Sequence, residues 1–317
     1  MKRLLFVLAI CTMAIATVSA QGTVKRETIE YTVKDTTHLL LDKYIDNSVP
    51  YQGKRPVLIY VHGGGFTTGG RVNALQIKYC KHYVAQGFVA ISIDYRLGIK
   101  NGIQPDEKTV VNAINLAYGD LIDATAFIIS KANDWNIDPD KIIISGGSAG
   151  AIACLSAEYD ISNNGQFSNR LPKGFNYAGV ISHAGCIVTN HDSLTWKNKP
   201  CPILLMHGNK DQLVPFDTKT ISGDFYGGSN YIHNQFVKLN FPHWLYEEVG
   251  ADHIVALKPL QYNFGETDTF IEKFVMKGQQ AIVHTIWADF KSDTMGDMFK
   301  VVPLYMTGWN KTDEEVK

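Results

Sequence analysis

Residues 141–150 read KIIISGGSAG, an apolar run that leads into a serine bracketed by glycines. Ile142, Ile143 and Ile144 form a β-branched run typical of a buried strand, and the apolar residues 151–155 are compatible with a helix. Residues 146–150 fit G-x-S-x-G, in which glycines permit a turn tight enough to expose a serine hydroxyl. An ordinary tight turn, in which a serine is present only because it is small, would give the same sequence pattern. The stretch therefore predicts a strand, a sharp turn and a helix, with Ser148 as a candidate nucleophile.

The first twenty residues are typical of a secretory signal peptide. Lys2 and Arg3 precede an apolar stretch that reaches about Val18, and small residues lead to Ala20. We expect residues 1–20 to be a signal peptide cleaved after Ala20, and residues 21–317 to form one catalytic domain. The protein is then secreted or periplasmic, without a membrane anchor.

The charge balance excludes some classes of partner. The chain has 30 Lys and Arg against 31 Asp and Glu, a formal net charge of −1. Such a chain has no strong attraction for nucleic acid or for an anionic membrane. No internal repeat or Pro/Ser-rich linker divides it, which favours a single domain.

Four cysteines remain after the predicted cleavage, too few for a disulfide scaffold. Cys186 and Cys201 flank apolar runs that could be neighbouring strands. The sequence leaves open whether they form one bridge.

Strand and helix patterns alternate along the rest of the chain. Strands are expected at residues 27–33, 38–44, 57–61, 88–93, 178–182, 203–206 and 244–249, and helices at about residues 73–86, 108–132 and 268–277. Residues 136–140 are expected to break the chain before the serine strand, and residues 159–177 to form a loop or lid. The alternation predicts an α/β fold, with a mostly parallel sheet covered by helices on both faces.

Ser148 needs a base to remove its proton, and the base needs a carboxylate to orient it. The strand at residues 203–206 runs into HGNKDQLVP, which contains Asp211, and the strand at residues 244–249 runs into GADH, which ends at His253. Ligands bind beyond the carboxyl ends of parallel strands, where all three residues are expected. Asp217 and Asp252 are rivals of Asp211 for the role of the acid.

These motifs together resemble those of α/β-hydrolase fold carboxylesterases. The resemblance is carried by HGGGF (62–66), DYRL (94–97), DPDKI (138–142), GGSAG (146–150), HGNKDQLVP (207–215) and GADH (250–253). It implies that Ser148 is the nucleophile, His253 the proton relay and Asp211 the orienting acid. It also implies an oxyanion hole built from the peptide N–H groups of Gly64, Gly65 and Ala149. Which two glycines of the HGGG loop contribute their N–H groups stays open. No metal and no cofactor is implied.

The resemblance gives other conspicuous residues supporting roles. His62 and His207 are expected to be structural, and Asp94 and Arg96 to form a charge pair that supports a loop. One group of aromatic residues is expected near Ser148, where it would suit a sugar or a phenolic acyl group: Phe66, Tyr95, Tyr159, Phe167, Tyr177, Phe225, Tyr226 and Tyr231.

Two departures from a related group narrow the expectation. Esterases resembling hormone-sensitive lipase usually have aspartate at the position of Gly147, and they have a longer N-terminal cap. Both differences resemble secreted esterases that remove acetyl or aromatic acyl groups from plant glycans.

We therefore expect a serine esterase of short or medium acyl esters, such as acetyl or feruloyl esters of plant polysaccharides. The substrate would be a small-molecule or glycan ester. A serine peptidase of the same fold and a non-catalytic binding module on a hydrolase scaffold are the alternatives. The oligomeric state and the packing of the tail from about Ala281 stay open.

Overall fold

The computed structural model describes residues 24–289 and 294–297. The predicted signal peptide and its cleavage site lie outside these residues, so both stay predictions. Within the described residues, strands and helices alternate as the sequence pattern predicted.

A large mixed sheet forms the centre of the described fold. The strands are β1 (Lys25–Lys34), β2 (Thr37–Ile45), β3 (Arg55–Val61), β4 (Val89–Ile93), β5 (Ile137–Gly147), β6 (Gly179–His183), β7 (Cys186–Thr189), β8 (Ile203–Gly208), β9 (Thr218–Ile221), β10 (Asp224–Gly228), β11 (His243–Val249) and β12 (Ile282–Ala288). Nine of them form this sheet in the order β1-β2-β4-β3-β5-β6-β8-β11-β12. Pairing is antiparallel from β1 to β4 and parallel from β4 to β12. Strands β7, β10 and β9 form a small antiparallel sheet.

Helices cover both faces of the large sheet, as predicted. They are α1 (Ala74–Val84), α2 (Glu107–Ser130), α3 (Ala149–Ser162), α4 (Ser229–Leu239), α5 (Pro259–Tyr262) and α6 (Phe264–Phe270), which continues as a π-helical turn over Ile271–Met276. In β3, Val57 and Ile59 join a hydrophobic cluster with α2 and α3, whereas Leu58 and Tyr60 join one with α1, α5 and α6. Successive side chains of a strand point to opposite faces, so a strand buried on both sides reads as a continuous apolar run.

The break expected before the serine strand is wrong in its position. Strand β5 already begins at Ile137, which pairs with Arg55, and pairing resumes with Ile142 opposite Val57. The intervening residues form a bulge, and Pro139 lies there because it has no N–H to donate to a neighbouring strand.

Of the loop or lid expected at residues 159–177, most of the segment is a loop, but it begins only after α3 and is not a lid. Helix α3 extends to Ser162, and the segment after it packs on α2. The ring of Phe167 lies 5.1 Å from that of Tyr118, and Arg170 bonds to Asp123 at 3.0 Å. The segment is thus held against α2 rather than above Ser148.

The expected charge pair has different partners. Arg71 bonds to Asp94 at 2.7 Å, and Arg96 bonds to the buried Asp120 of α2 at 2.7 Å. Both residues support the loop after β4, but each does so through a residue distant in sequence. Strand β12 and the small sheet were not predicted at all.

The two cysteines for which a disulfide was left open do not form one. Cys186 and Cys201 are buried, and neither is bridged in the structure.

Among the described helices, α2 is long and apolar enough to cross a membrane, but 61% of its apolar window is buried inside the fold. A core helix meets the same criteria.

A buried carboxyl in α3 makes stability depend on pH. Glu158 is fully buried, and burial raises its pKa to about 7 although Cys201 N–H and the Ser162 hydroxyl donate to it. The unfolded chain releases this proton near pH 4.3. The folded state therefore holds more protons between about pH 4 and pH 7, and its stability falls as the pH rises through that window.

Glu158→Gln should remove this dependence. Relative to wild type, the variant is expected to gain about 2 to 3 kcal/mol of unfolding free energy between about pH 4 and pH 7, because the amide does not titrate. Urea unfolding of both proteins across this range measures the difference. A constant difference between wild type and variant would contradict the prediction.

Candidate active site

Ser148 lies at the turn between β5 and α3, as its motif predicted. Its φ of 55° and ψ of −123° form a conformation that few residues other than glycine adopt. Its N–H donates to the carbonyl oxygen of His183 at 2.9 Å, which ties the turn to β6. The hydroxyl is therefore held at the carboxyl end of β5.

The structure brings Ser148, His253 and Asp211 together in one hydrogen-bonded chain. The Ser148 Oγ lies 2.8 Å from His253 Nε2, and His253 Nδ1 lies 2.6 Å from Asp211 Oδ2. An ionised carboxylate only accepts hydrogen bonds, so Nδ1 carries the proton and Nε2 is left to accept from the serine hydroxyl. This is the arrangement that a serine nucleophile requires.

The rivals of Asp211 have other partners. Asp217 bonds to the amide of Asn230 at 2.5 Å, and Asp252 caps the turn that begins at His253 by accepting from Ile254 N–H. Asp211 is oriented by backbone N–H groups of Leu213 and Val214, at 2.8 and 3.0 Å. Its side chain is fully buried beside the histidine.

A second histidine contacts the same carboxylate. His207, fully buried at the end of β8, places Nε2 3.1 Å from Asp211 Oδ2, and its Nδ1 lies 2.8 Å from the Ser229 hydroxyl. Burial alone would raise the pKa of Asp211, but the hydrogen bonds and charges of His207 and His253 together hold it well below its ordinary value. Asp211 is therefore ionised. His207 has the structural role that was expected, because it helps to position the carboxylate of Asp211.

Removing this second donor should change the pH dependence of activity. In His207→Leu, the carboxylate keeps fewer donors and attracts a proton on His253 more strongly. We expect a several-fold lower kcat/KM and an acid limb of the pH–rate profile shifted to higher pH. His207→Gln, whose amide can still donate to Asp211, should restore the wild-type profile. A loss of activity with an unshifted profile in both variants would contradict this role.

His62 shapes the glycine loop, as expected. It is buried, its Nδ1 lies 2.7 Å from the carbonyl oxygen of Gly63, and its ring stacks on Tyr95 at 4.2 Å. Burial lowers the pKa of His62 to about 4, so the ring is neutral near pH 7 and adds no positive charge to the loop. The Tyr95 hydroxyl in turn donates to the His62 carbonyl at 2.9 Å.

The predicted oxyanion-hole residues line the same cavity as Ser148. Gly64, Gly65 and Ala149 all contribute to its wall. Gly64 has φ of +117°, and a Cβ there would lie 2.1 Å from the carbonyl oxygen of Thr68. Within the described residues, none of the three amides donates to a loop or turn carbonyl. Only glycine fits position 64, and its conformation leaves loop amides beside the serine.

The structure shows that only glycine fits at position 147. A Cβ at this position would lie 2.3 Å from the carbonyl oxygen of Ala256, in the turn that carries His253. No real Cβ tolerates such a contact. The turn therefore packs directly on the elbow, which fixes the imidazole beside the serine.

The cavity at Ser148 is mainly apolar and has a volume of about 360 Å³. Of the aromatic residues expected here, Phe66 lines it, together with Tyr60 from β3. Others serve the core instead, since Tyr177 bonds to Thr125 and Tyr226 bonds to Glu107. The rings of the hypothesised aromatic border are therefore mostly structural.

Several wall residues were missed by sequence reasoning. They are apolar side chains that share no motif of their own: Ile152, Leu213, Val214, Leu257, Leu260 and Met295. Leu213 is 72% exposed although it adjoins the acid, and a leucine in the polar HGNKDQLVP loop was an available signal. Met295 shows that part of the segment after β12 reaches the site, where its N–H donates to Asp252 at 2.9 Å.

Among residues 24–289 and 294–297, no group of three His, Cys, Asp or Glu side chains could hold a metal ion.

Sequence comparison relates the chain to esterases over part of its length. The BD-FAE family model, from an α/β-hydrolase esterase family, matches residues 41–193. Gut esterase 1 of Caenorhabditis elegans is 33% identical over 98 residues, which are 31% of this chain and 17% of that protein. A non-reducing polyketide synthase of Stereocaulon alpinum is 26% identical over 146 residues, 44% of this chain and 5% of that protein. The chain thus spans less than a fifth of the length of either relative.

Solved structures confirm the fold. The apo form of Thermogutta terrifontis esterase 2 superposes with a TM-score of 0.57 at 19% identity, covering 81% of this chain and 96% of that one. An α/β-hydrolase enzyme from a Medee basin deep-sea metagenome gives a TM-score of 0.53 at 18% identity, covering 79% of this chain and 98% of that one.

Proposed function

We propose that this chain, which has the α/β-hydrolase fold and resembles esterases over part of its length, is a serine carboxylesterase. The observation that carries the proposal is the continuous chain of hydrogen bonds from Ser148 through His253 to Asp211, at 2.8 and 2.6 Å. Its serine end opens into the apolar cavity.

The geometry supports a two-step acyl transfer. Ser148 Oγ attacks the ester carbonyl carbon while its proton passes to His253 Nε2, and Asp211 stabilises the resulting imidazolium. The carbonyl oxygen becomes an oxyanion, which amides of Gly64, Gly65 or Ala149 would stabilise. The proton on Nε2 then leaves with the alcohol. A water molecule repeats the sequence on the acyl-enzyme and releases the acid, so no cofactor is consumed.

The cavity favours short or medium acyl groups. Its apolar wall accepts the hydrocarbon part of the acid, and its volume of about 360 Å³ lies at the small end of ligand pockets. We propose acetyl or feruloyl esters of plant polysaccharides as the substrates. We also propose that the predicted signal peptide directs the protein out of the cytoplasm, so that it is secreted or periplasmic.

Burst kinetics with p-nitrophenyl acetate test the proposal. An acyl-enzyme mechanism predicts a burst of about one p-nitrophenol per enzyme when deacylation is slower than acylation, and steady hydrolysis in every case. Mass spectrometry of acid-quenched enzyme should place an acetyl group on the peptide that contains Ser148. Absence of any hydrolysis would contradict the proposal and favour a non-catalytic binding module.

A peptidase of the same fold is the second candidate. Peptide p-nitroanilides should be cleaved at least a thousandfold more slowly than the corresponding p-nitrophenyl esters if the protein is an esterase. Comparable rates would favour the peptidase.

Activity should depend on pH, because only neutral His253 accepts the serine proton and the protonated ring cannot. The measurement is kcat/KM for p-nitrophenyl acetate from about pH 5 to about pH 9. A flat profile would contradict the assignment of His253 as the base.

A further inference from the structure

The acid and the base of the active site lie on two neighbouring loops. The acid loop (residues 209–215) follows β8 and carries Asp211, and the base loop (residues 250–253) follows β11 and carries His253. The parallel pairing of β8 with β11 ends before either loop begins. The 2.6 Å bond between the acid and the base therefore depends on contacts that hold the two loops together beyond the sheet.

Asn209, the first residue of the acid loop, bonds to the opposite side at three points. Its backbone N–H donates to the carbonyl oxygen of Glu248 at 3.1 Å. Its side-chain Oδ1 accepts from the N–H of Gly250 at 2.9 Å, and its Nδ2 donates to Oε1 of Glu247 at 2.9 Å. All three partners belong to β11 or to the base loop. Asn209 therefore joins the two loops at the point where the pairing of the strands stops.

The two loops also approach each other through their backbones. The N–H of Lys210 donates to the carbonyl oxygen of Ala251 at 2.9 Å. A Cβ at Gly208, the last residue of β8, would lie 2.4 Å from the same carbonyl oxygen. Because the backbones are this close, a small displacement of either loop changes the distance between Asp211 and His253.

The side chain at position 209 has to accept one hydrogen bond and donate another. The N–H of Gly250 only donates, and the carboxylate of Glu247 only accepts, so the two partners fix the orientation of the Asn209 amide. Glu247 is itself held by His284 on β12, whose Nε2 lies 3.0 Å from its Oε2. Aspartate at position 209 could accept from Gly250 but would set a second carboxylate against Glu247. Leucine could make neither bond.

We propose that Asn209 is a positioning residue for the acid and the base: it fastens the acid loop to the base loop and so sets the separation of Asp211 and His253. The proposal rests on the esterase function and adds a residue to it. Asn209 is not among the described residues that line the cavity at Ser148. Its effect therefore falls on the proton transfer and not on the binding of a small ester.

Asn209→Leu tests the proposal, because leucine has a similar size but its side chain makes no hydrogen bond. We expect kcat for p-nitrophenyl acetate to fall roughly ten- to a hundredfold, with KM changed by less than about twofold. The backbone bond of Lys210 remains, so the loss is partial. The acid limb of the pH–rate profile should move to lower pH, because a more distant carboxylate favours the proton on His253 less. This direction is opposite to the one expected for His207→Leu.

An exchange of donor and acceptor separates this role from a general loss of stability. Asn209→Asp alone places two carboxylates together and should also lower kcat. When it is combined with Glu247→Gln, the glutamine amide can donate to the carboxylate at position 209. We expect the double variant to regain most of the wild-type kcat and the wild-type acid limb, and Glu247→Gln alone to lose less activity than Asn209→Asp. Asn234→Leu, at an exposed position of α4, is the matched control and should change neither property.

The outcomes that would overturn the positioning role are an unchanged kcat in Asn209→Leu, a loss of activity without a shift of the acid limb, or no recovery in the double variant. If the leucine variant does not fold, Asn209→Asp takes its place, because it keeps the bond to Gly250. Absence of p-nitrophenyl acetate hydrolysis by the wild type would instead overturn the esterase function.

Discussion

Ser148→Ala is expected to lower kcat for p-nitrophenyl acetate by a factor on the order of 10⁴ or more. The substitution removes the only atom that forms the acyl-enzyme, while the glycine amides beside it remain. If those amides form the oxyanion hole we propose, a small residual rate above the uncatalysed reaction is expected. The measurement is steady-state hydrolysis at pH 8, with each protein checked for trace wild-type contamination by active-site titration.

The structure of the variant should be intact. Alanine is smaller than serine, and it has to adopt the same backbone φ of 55° that serine already adopts. We therefore expect the free energy of unfolding to change by less than about 1 kcal/mol. Ser130→Ala, an exposed serine at the end of α2, is the matched control and should retain full activity. Equal activity of Ser148→Ala and wild type would refute the assigned nucleophile.

Asp211→Asn is expected to lower kcat by about 10⁴-fold, for a different reason. The backbone N–H groups of Leu213 and Val214 would hold the amide oxygen, which turns the NH₂ group toward His207 and His253. An NH₂ group cannot accept from His253 Nδ1, so the imidazole would carry its proton on Nε2 instead. In that tautomer it cannot take the proton of Ser148.

Asp217→Asn is the control for this substitution. The same chemical change is made six positions along the chain, where the carboxylate bonds to Asn230 rather than to a histidine. We expect near-normal kinetics for this variant. The reverse outcome, with activity lost in Asp217→Asn and kept in Asp211→Asn, would mean that the acid has been misassigned.

Both predictions depend on residues that the sequence could identify as candidates. The hydrogen bonds between these residues could not be identified from the sequence. Asp211, Asp217 and Asp252 all follow a strand or adjoin His253 in the sequence. Sequence spacing could not rank them with certainty, because the hydrogen bond to His253 spans 42 positions and depends on how β8 and β11 pair. The parallel pairing of these strands places Asp211 and His253 at the same end of the sheet.

The errors have physical causes of a similar kind. Residues 159–177 are polar and contain glycine, which is typical of a mobile loop, yet Arg170 and Phe167 find partners on α2. The Asp94–Arg96 pair looked complete because the two are close in sequence. Arg71 and Asp120 are closer in space.

The α/β class, the strand–turn–helix around Ser148 and the order of the proposed nucleophile, acid and base could all be read from the sequence, because backbone propensities and apolar periodicity are local properties. The contact of Asp211 with His253 and the exclusion of any side chain from position 147 by the turn at Ala256 needed the folded structure, because they join segments far apart in the chain. His207 lies only four positions from Asp211, but nothing in that spacing shows that its ring reaches the carboxylate that His253 also contacts.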